Sequence, residues 1–157
     1  MKGKEIELTI VQCADLFDLP GTLEKAKVKV DWLTSVDIAV NKEAVKGIVE
    51  GYRSTLEPSQ KVKEYQSAVN KAKSTLKGQE LEEEFRRLNR KFVKYLEEEE
   101  ERIGTIHKEA QKEVRKVKII PIKVSSIKGE SEVMSIIASA LLPILDFETK
   151  SEDKGDK

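Results

Sequence analysis

The chain has one cysteine, one histidine, one tryptophan and four prolines, and aromatic residues make up 5% of it. A single cysteine excludes an internal disulfide and points to a reducing compartment. Cys13 follows an alternating apolar run, so it reads as a small buried hydrophobe rather than a nucleophile. One histidine with one cysteine is too few for a zinc centre of the His/Cys type. His107 has no Ser-His-Asp or Cys-His signature around it and reads as a partly exposed helical side chain. No glycine-rich phosphate loop occurs. Net charge is lacking too, since Lys+Arg and Asp+Glu each number 29. A neutral chain does not coat nucleic acid through bulk electrostatics. No run reaches the ~18 apolar residues of a membrane span. Met1-Lys2-Gly3-Lys4-Glu5 lacks the apolar stretch of a signal peptide. The expectation is a cytoplasmic protein that needs no cofactor or metal and has no catalytic residues.

What the sequence does have is charge. Apolar residues are 38% and charged residues 37% of 157, so the core is lean and the surface ionic. That length suits one domain. Lys and Glu dominate while Asn and Gln are sparse, the composition seen in thermophile proteins.

The most organised segment is Gln79 to Val117. Leu81, Phe85, Leu88, Phe92, Tyr95 or Leu96, then Ile103, Ile106, Ala110, Val114 and Val117 recur at three- and four-residue steps. This is the apolar stripe of a helix that needs a partner surface. Its gap, Glu97-Glu98-Glu99-Glu100-Glu101-Arg102, lacks the Asp/Asn and Gly spacing of a calcium loop and reads as a solvated face. As one helix the segment would run ~58 Å, against a radius of gyration of ~15 Å for a compact chain of this size. It therefore either projects in a long hairpin or bends near 97–104, where Gly104 is the weak point.

Ile6, Leu8 and Ile10 alternate with polar neighbours, predicting a strand from about Glu5 to Gln12, followed by a turn closed at Pro20-Gly21. Thr22 then caps a helix. Its apolar face is Leu23, Ala26, Val30, Leu33, Val40, Ala44, Ile48, Tyr52 and Leu56, although the alternation over residues 25–30 also permits a strand. Gly47 and Gly51 suit close packing of two helices. Pro58 forces a break. Ser59 caps a second helix with Val62, Tyr65, Val69, Ala72 and Leu76 on its face, and Gly78 closes it. Val117 to Val124 alternates as a second strand, with Pro121 at an edge or bulge. Ser131 opens an almost wholly apolar helix running towards Phe147. Residues 148–157 read as a disordered polar tail. The two strands pair most simply with each other. The fold expected is α+β, mainly α: a long antiparallel helical hairpin on a small two-stranded antiparallel sheet, covered by a C-terminal apolar helix, in one elongated domain over residues 1–147.

Leu81-Glu82-Glu83-Glu84-Phe85-Arg86-Arg87-Leu88 opens the charged helix, and Ile119-Ile120-Pro121-Ile122-Lys123-Val124 forms the second strand. In this order of elements the chain resembles small uncharacterised phage and prophage accessory proteins. The resemblance covers layout across most of the chain and implies an assembly role, in the host cytoplasm.

Two functions follow. The first is a non-enzymatic protein-protein interaction or assembly protein, binding a protein partner or forming a homo-oligomer. It would use Phe85, Phe92, Ile103 and Ile106 on the stripe and Ile136, Ile137 and Leu141 on the last helix. The alternative is a nucleic-acid-binding regulator using Arg86, Arg87, Arg90, Lys91 and Lys94 against phosphates. Against the alternative, Glu82 and Glu83 stand four residues before Arg86 and Arg87, in position to neutralise them along the helix.

Overall fold

The computed structural model describes residues 3–123, 127–128 and 145–146. These contain strand β1 (Lys4–Thr9), helix α1 (Ile10–Lys25), β2 (Lys29–Val30), α2 (Trp32–Thr55), α3 (Gln60–Thr75), α4 (Gly78–Ala110), β3 (Val114–Ile119), β4 (Ile122–Lys123), β5 (Ile127–Lys128) and β6 (Leu145–Asp146). The fold is α+β and mainly α, with the paired strands expected from the sequence. The chain divides into two compact units, Met1–Tyr52 with Gln111–Lys157, and Arg53–Ala110.

In the first unit β1 and β3 form an antiparallel ribbon, in register from Lys4↔Ile119 to Thr9↔Val114. Ile6, Leu8, Val117 and Ile119 share one face of it and join the core. β1 is shorter than the predicted strand because Thr9 and Gln12 form a capping box. Thr9 Oγ1 accepts from the Gln12 N–H at 3.1 Å, and Gln12 Oε1 accepts from the Thr9 N–H at 2.8 Å. The T-x-x-Q spacing is the sequence signature of such a start. The predicted turn at 14–21 is helix instead. Ile10, Cys13, Leu16, Leu19 and Leu23 are buried along α1. Three buried leucines at roughly 2 kcal/mol each outweigh the ~3 kcal/mol of a proline inside a helix, so Pro20 is tolerated. Thr22 is consequently not a cap but a mid-helix residue, its hydroxyl donating to the Asp18 carbonyl.

The single helix expected from Leu23 onward is broken. The Val28 N–H donates to the Leu23 carbonyl and the Lys27 N–H to the Glu24 carbonyl. Those two bonds are a Schellman ending, with Lys27 left-handed at φ 56° in the place usually given to glycine. The strand alternative holds at Lys29–Val30, which pair antiparallel with Ile127–Lys128. Asp31 then restarts the helix. Its carboxylate accepts from the Thr34 N–H at 2.8 Å and from the Thr34 hydroxyl at 3.0 Å.

The second predicted strand is interrupted after Ile119. Pro121 has no N–H to give a ladder, and Ile120 is held from the side by Asn41 of α2. Asn41 Nδ2 donates to the Ile120 carbonyl at 2.9 Å, and the Ile120 N–H donates to Asn41 Oδ1 at 2.7 Å. Asn41 is fully buried, and its amide acts here as one rung of a β-ladder. β4 then pairs in parallel with β6, so Leu145–Asp146 are strand rather than the end of a helix. The rest of the predicted C-terminal helix, and the tail at 148–157, lie outside the described residues.

The second unit contains the hairpin. Its pairing is antiparallel: Ser59 meets Glu99, and Tyr65 meets Asn89 and Phe92. Ser59 caps α3 as expected, and Val62 and Ala72 are buried on its face. Gly78 adopts φ 58° at the junction with α4. α4 is a single helix of 33 residues running through the acidic gap and Gly104.

Candidate interaction surface

On α4 the stripe is largely used within the hairpin. Leu88 and Phe92 are buried, and the Tyr65 ring lies 5.7 Å from that of Phe92. Phe85, Ile103 and Ile106 are half-buried. Ile136, Ile137 and Leu141 lie outside the described residues.

The acidic gap is not uniformly a solvated face. Glu97, Glu98, Glu100 and Glu101 are exposed, but the Glu99 side chain is only 13% exposed. Arg102 donates two bonds to Glu99, at 3.1 and 2.7 Å. It also donates to the carbonyls of Thr55, at 2.6 Å, and Glu57, at 2.9 Å. These are orphan acceptors at the end of α2. Glu99 in turn accepts from the Ser59 N–H, at the start of α3, at 3.2 Å. One ion pair thus joins the end of one helix to the beginning of the next. The pair lowers the Glu99 carboxyl below its ordinary value, chiefly through the Arg102 hydrogen bond. In sequence, Glu99 is simply the next three-to-four-residue step after Leu96, which is the signal the apolar count missed.

The basic face of α4 is exposed but locally neutralised. Arg87 is held by Glu84 through two bonds, Arg86 lies 3.9 Å from Glu82, and Lys94 lies 3.8 Å from Glu98. Lys91 sits over the Phe92 ring at 5.3 Å. Arg90 makes no ion pair among the described residues.

The larger surprise is α2, which has two apolar faces. The buried one is Thr34, Ile38, Asn41, Val45 and Val49. Of the stripe expected from the sequence to be buried, Leu33, Val40 and Ala44 face outward on the opposite side, while Ile48 packs against the core. Trp32 is 76% exposed, Leu33 68%, Val40 46% and Val36 39%. Leu33, Val36, Val40, Ala44, Gly47 and Gly51 fall within a sector of about 80° on a helix of 3.6 residues per turn. No charged residue falls inside that sector; Asp37 and Glu43 flank it, one on each side, and Glu43 is paired with Lys46 at 3.7 Å. The inner stripe won because it includes Asn41, the partner of Ile120. An apolar count passes over that residue.

No described atom lies within 4 Å of where a Cβ would stand on Gly47 or Gly51, so no described neighbour requires a glycine at either position.

Cys13 is fully buried, and burial pushes its thiol above the ordinary value. His107 is exposed on α4. Among the described residues no group of three or more His, Cys, Asp or Glu side chains is placed to hold a metal ion. No helix among them is long and apolar enough to cross a membrane. Protein-family models, curated proteins and solved structures give no match to this chain.

Proposed function

We propose that this is a non-enzymatic interaction or assembly protein whose contact surface is the outer face of α2. The observation that supports it is the uncharged apolar face Leu33–Val36–Val40 with Trp32 beside it, standing in solvent on a chain that is otherwise 37% charged. A contiguous exposed apolar face on a soluble domain marks a contact site. Aromatic residues such as Trp32 are the usual anchors of such contacts. An accessory role beside phage or prophage structural proteins, as the layout suggests, accords with a small chain of this kind.

Nucleic-acid binding through Arg86, Arg87, Arg90, Lys91 and Lys94 is the weaker reading, because carboxylates on the same helix already hold Arg86, Arg87 and Lys94.

A photoreactive side chain placed at position 40 tests the proposal in the cells that express the protein. A defined protein adduct at 40, and none from the same group at exposed Lys116 on the β-ribbon, is the expected outcome. Equal, diffuse labelling at both positions, or none at 40, would reject it.

A further inference from the structure

What borders the α2 face points to the chemistry of its partner. Leu33, Val36, Val40 and Ala44 make an apolar ridge of about three turns, roughly 17 Å long, with the exposed Trp32 at its start. On a helix of 3.6 residues per turn, Asp37 stands about 20° beyond one edge of the uncharged sector. Glu43 and Glu50 stand about 20° and 40° beyond the other, and the nearest cation, Lys46, lies about 60° further round than Glu43. The first charges met on leaving the face, on either side, are therefore carboxylates. Glu43 and Glu50 are exposed and Asp37 is half-buried. Asp37 and Glu50 make no ion pair among the described residues, and Glu43 is held only by the exposed Lys46. A ridge bordered by carboxylates repels phosphate, which sets aside nucleic acid and anionic lipid as occupants of this face. It complements a ridge bordered by ammonium or guanidinium groups. We infer that the outer face of α2 binds a basic amphipathic helix of a partner protein, an apolar stripe with Lys or Arg along both margins.

A helix is the element whose shape fits. The exposed side chains rise from α2 as a straight ridge in steps of three and four residues. Such a ridge seats between the side-chain rows of another helix at an interaxial distance of about 8–10 Å. At that distance a Lys or Arg stem of the partner passes beside the ridge, lays its methylenes on the apolar side chains and sets its charged head among the carboxylates. Glu43 and Glu50 are seven residues apart, about two turns or 10 Å. Cations at i and i+7 on one margin of the partner therefore meet both, and Asp37 is met from the other margin. Flanking charges then choose the partner and its direction, while the apolar stripe holds it. All the residues involved belong to the first unit, so the face is a single surface. One helix laid on three turns covers well under the roughly 800 Å² per partner of a standard interface. The contact is accordingly transient, and it weakens as salt rises.

The inference rests on the proposed contact role of α2, and the experiment separates the two. Two labelled peptides of about 20 residues, long enough to form a helix, share one Leu/Ala stripe and lack tryptophan. One carries Lys on both margins and the other Glu. Their fluorescence anisotropy is followed against the purified full-length protein. The Lys peptide is expected to bind at least about tenfold more tightly than the Glu peptide. It should lose about tenfold in affinity between roughly 0.01 and 0.15 M salt. It should also protect Trp32 from acrylamide, which places it on this face rather than on the exposed glutamates of α4. In the variant Asp37→Lys, Glu43→Lys, Glu50→Lys, its fold checked by circular dichroism, the preference should reverse. Where that variant does not fold, Asp37→Asn, Glu43→Gln, Glu50→Gln takes its place, and the two peptides should bind it alike. Binding of neither peptide, equal binding of both to the unsubstituted protein, or a preference that survives these substitutions would overturn the inference. If it is overturned while a photoreactive group at position 40 still yields a defined protein adduct, the contact role of α2 stands and the basic partner falls. If position 40 yields none, both fall.

Discussion

Asn41 ties α2 to the chain segment that follows β3. It is buried, and it satisfies both backbone groups of Ile120, 79 positions away in sequence. Asn41→Leu would keep the volume but orphan a part-buried N–H and carbonyl of Ile120, each worth about 1–3 kcal/mol when left unpaired and out of reach of water. The expected loss is about 2–4 kcal/mol, read as a lower urea midpoint at unchanged slope. Lys27 offers the opposite test. A non-glycine residue at φ 56° carries a strain of about 1–2 kcal/mol, and its cap bonds are made by backbone alone. Lys27→Gly should therefore stabilise the protein by about 1 kcal/mol in the same measurement. The cap at Ser59 was plain in the sequence, because Pro58 and the following apolar period fix it. The cap at Lys27 was not, because nothing in the residue type announces a left-handed backbone.

Among the elements, the helix period was easier to read than the choice of face. α3 carries its apolar stripe where the sequence placed it, and α4 does so as far as Ala110, but Val114 and Val117, expected to continue the stripe, lie in β3. α2 carries two, and hydrophobicity alone favoured the outer one, Leu33–Val40–Ala44, over an inner one interrupted by Thr34 and Asn41. Local hydrogen bonds reversed the ranking: Thr34 is held by Asp31, and Asn41 holds Ile120. At the far end of α2 the Glu99–Arg102 pair makes a pH-dependent joint. The folded Glu99 carboxyl lies below its ordinary value because of Arg102, so its stabilisation is present above the unfolded value of about 4.3. It is lost as pH falls through the lowered folded value. Glu99→Gln should be less stable than the parent near neutrality, and the gap should close on acidification below about pH 4. Thermal melts from pH 3 to 7, roughly bracketing the ordinary carboxylate range, would show it. A gap independent of pH would mean that the ion pair contributes nothing. Gly104 tests the continuity of α4. No described atom lies near its missing Cβ, so Gly104→Ala should stabilise by about 0.5–1 kcal/mol. A loss on that substitution would mean that the helix needs a bend there.

For the molecule as a whole, the combination of a lean core, a balanced ionic surface and one uncharged helical face leads to an account in which function lies on α2. Trp32 is the only tryptophan in the chain and stands at the edge of that face, 76% exposed. Its fluorescence therefore reports directly on whether the face is open or covered. Acrylamide quenching and the emission maximum of Trp32, compared between the free protein and its complex with the partner captured at position 40, are the most direct measurement. Water-like emission and ready quenching in the free protein, giving way to blue-shifted, protected emission in the complex, is the predicted result. Emission that is already protected in the free protein, or that stays water-like in the complex, would contradict the account.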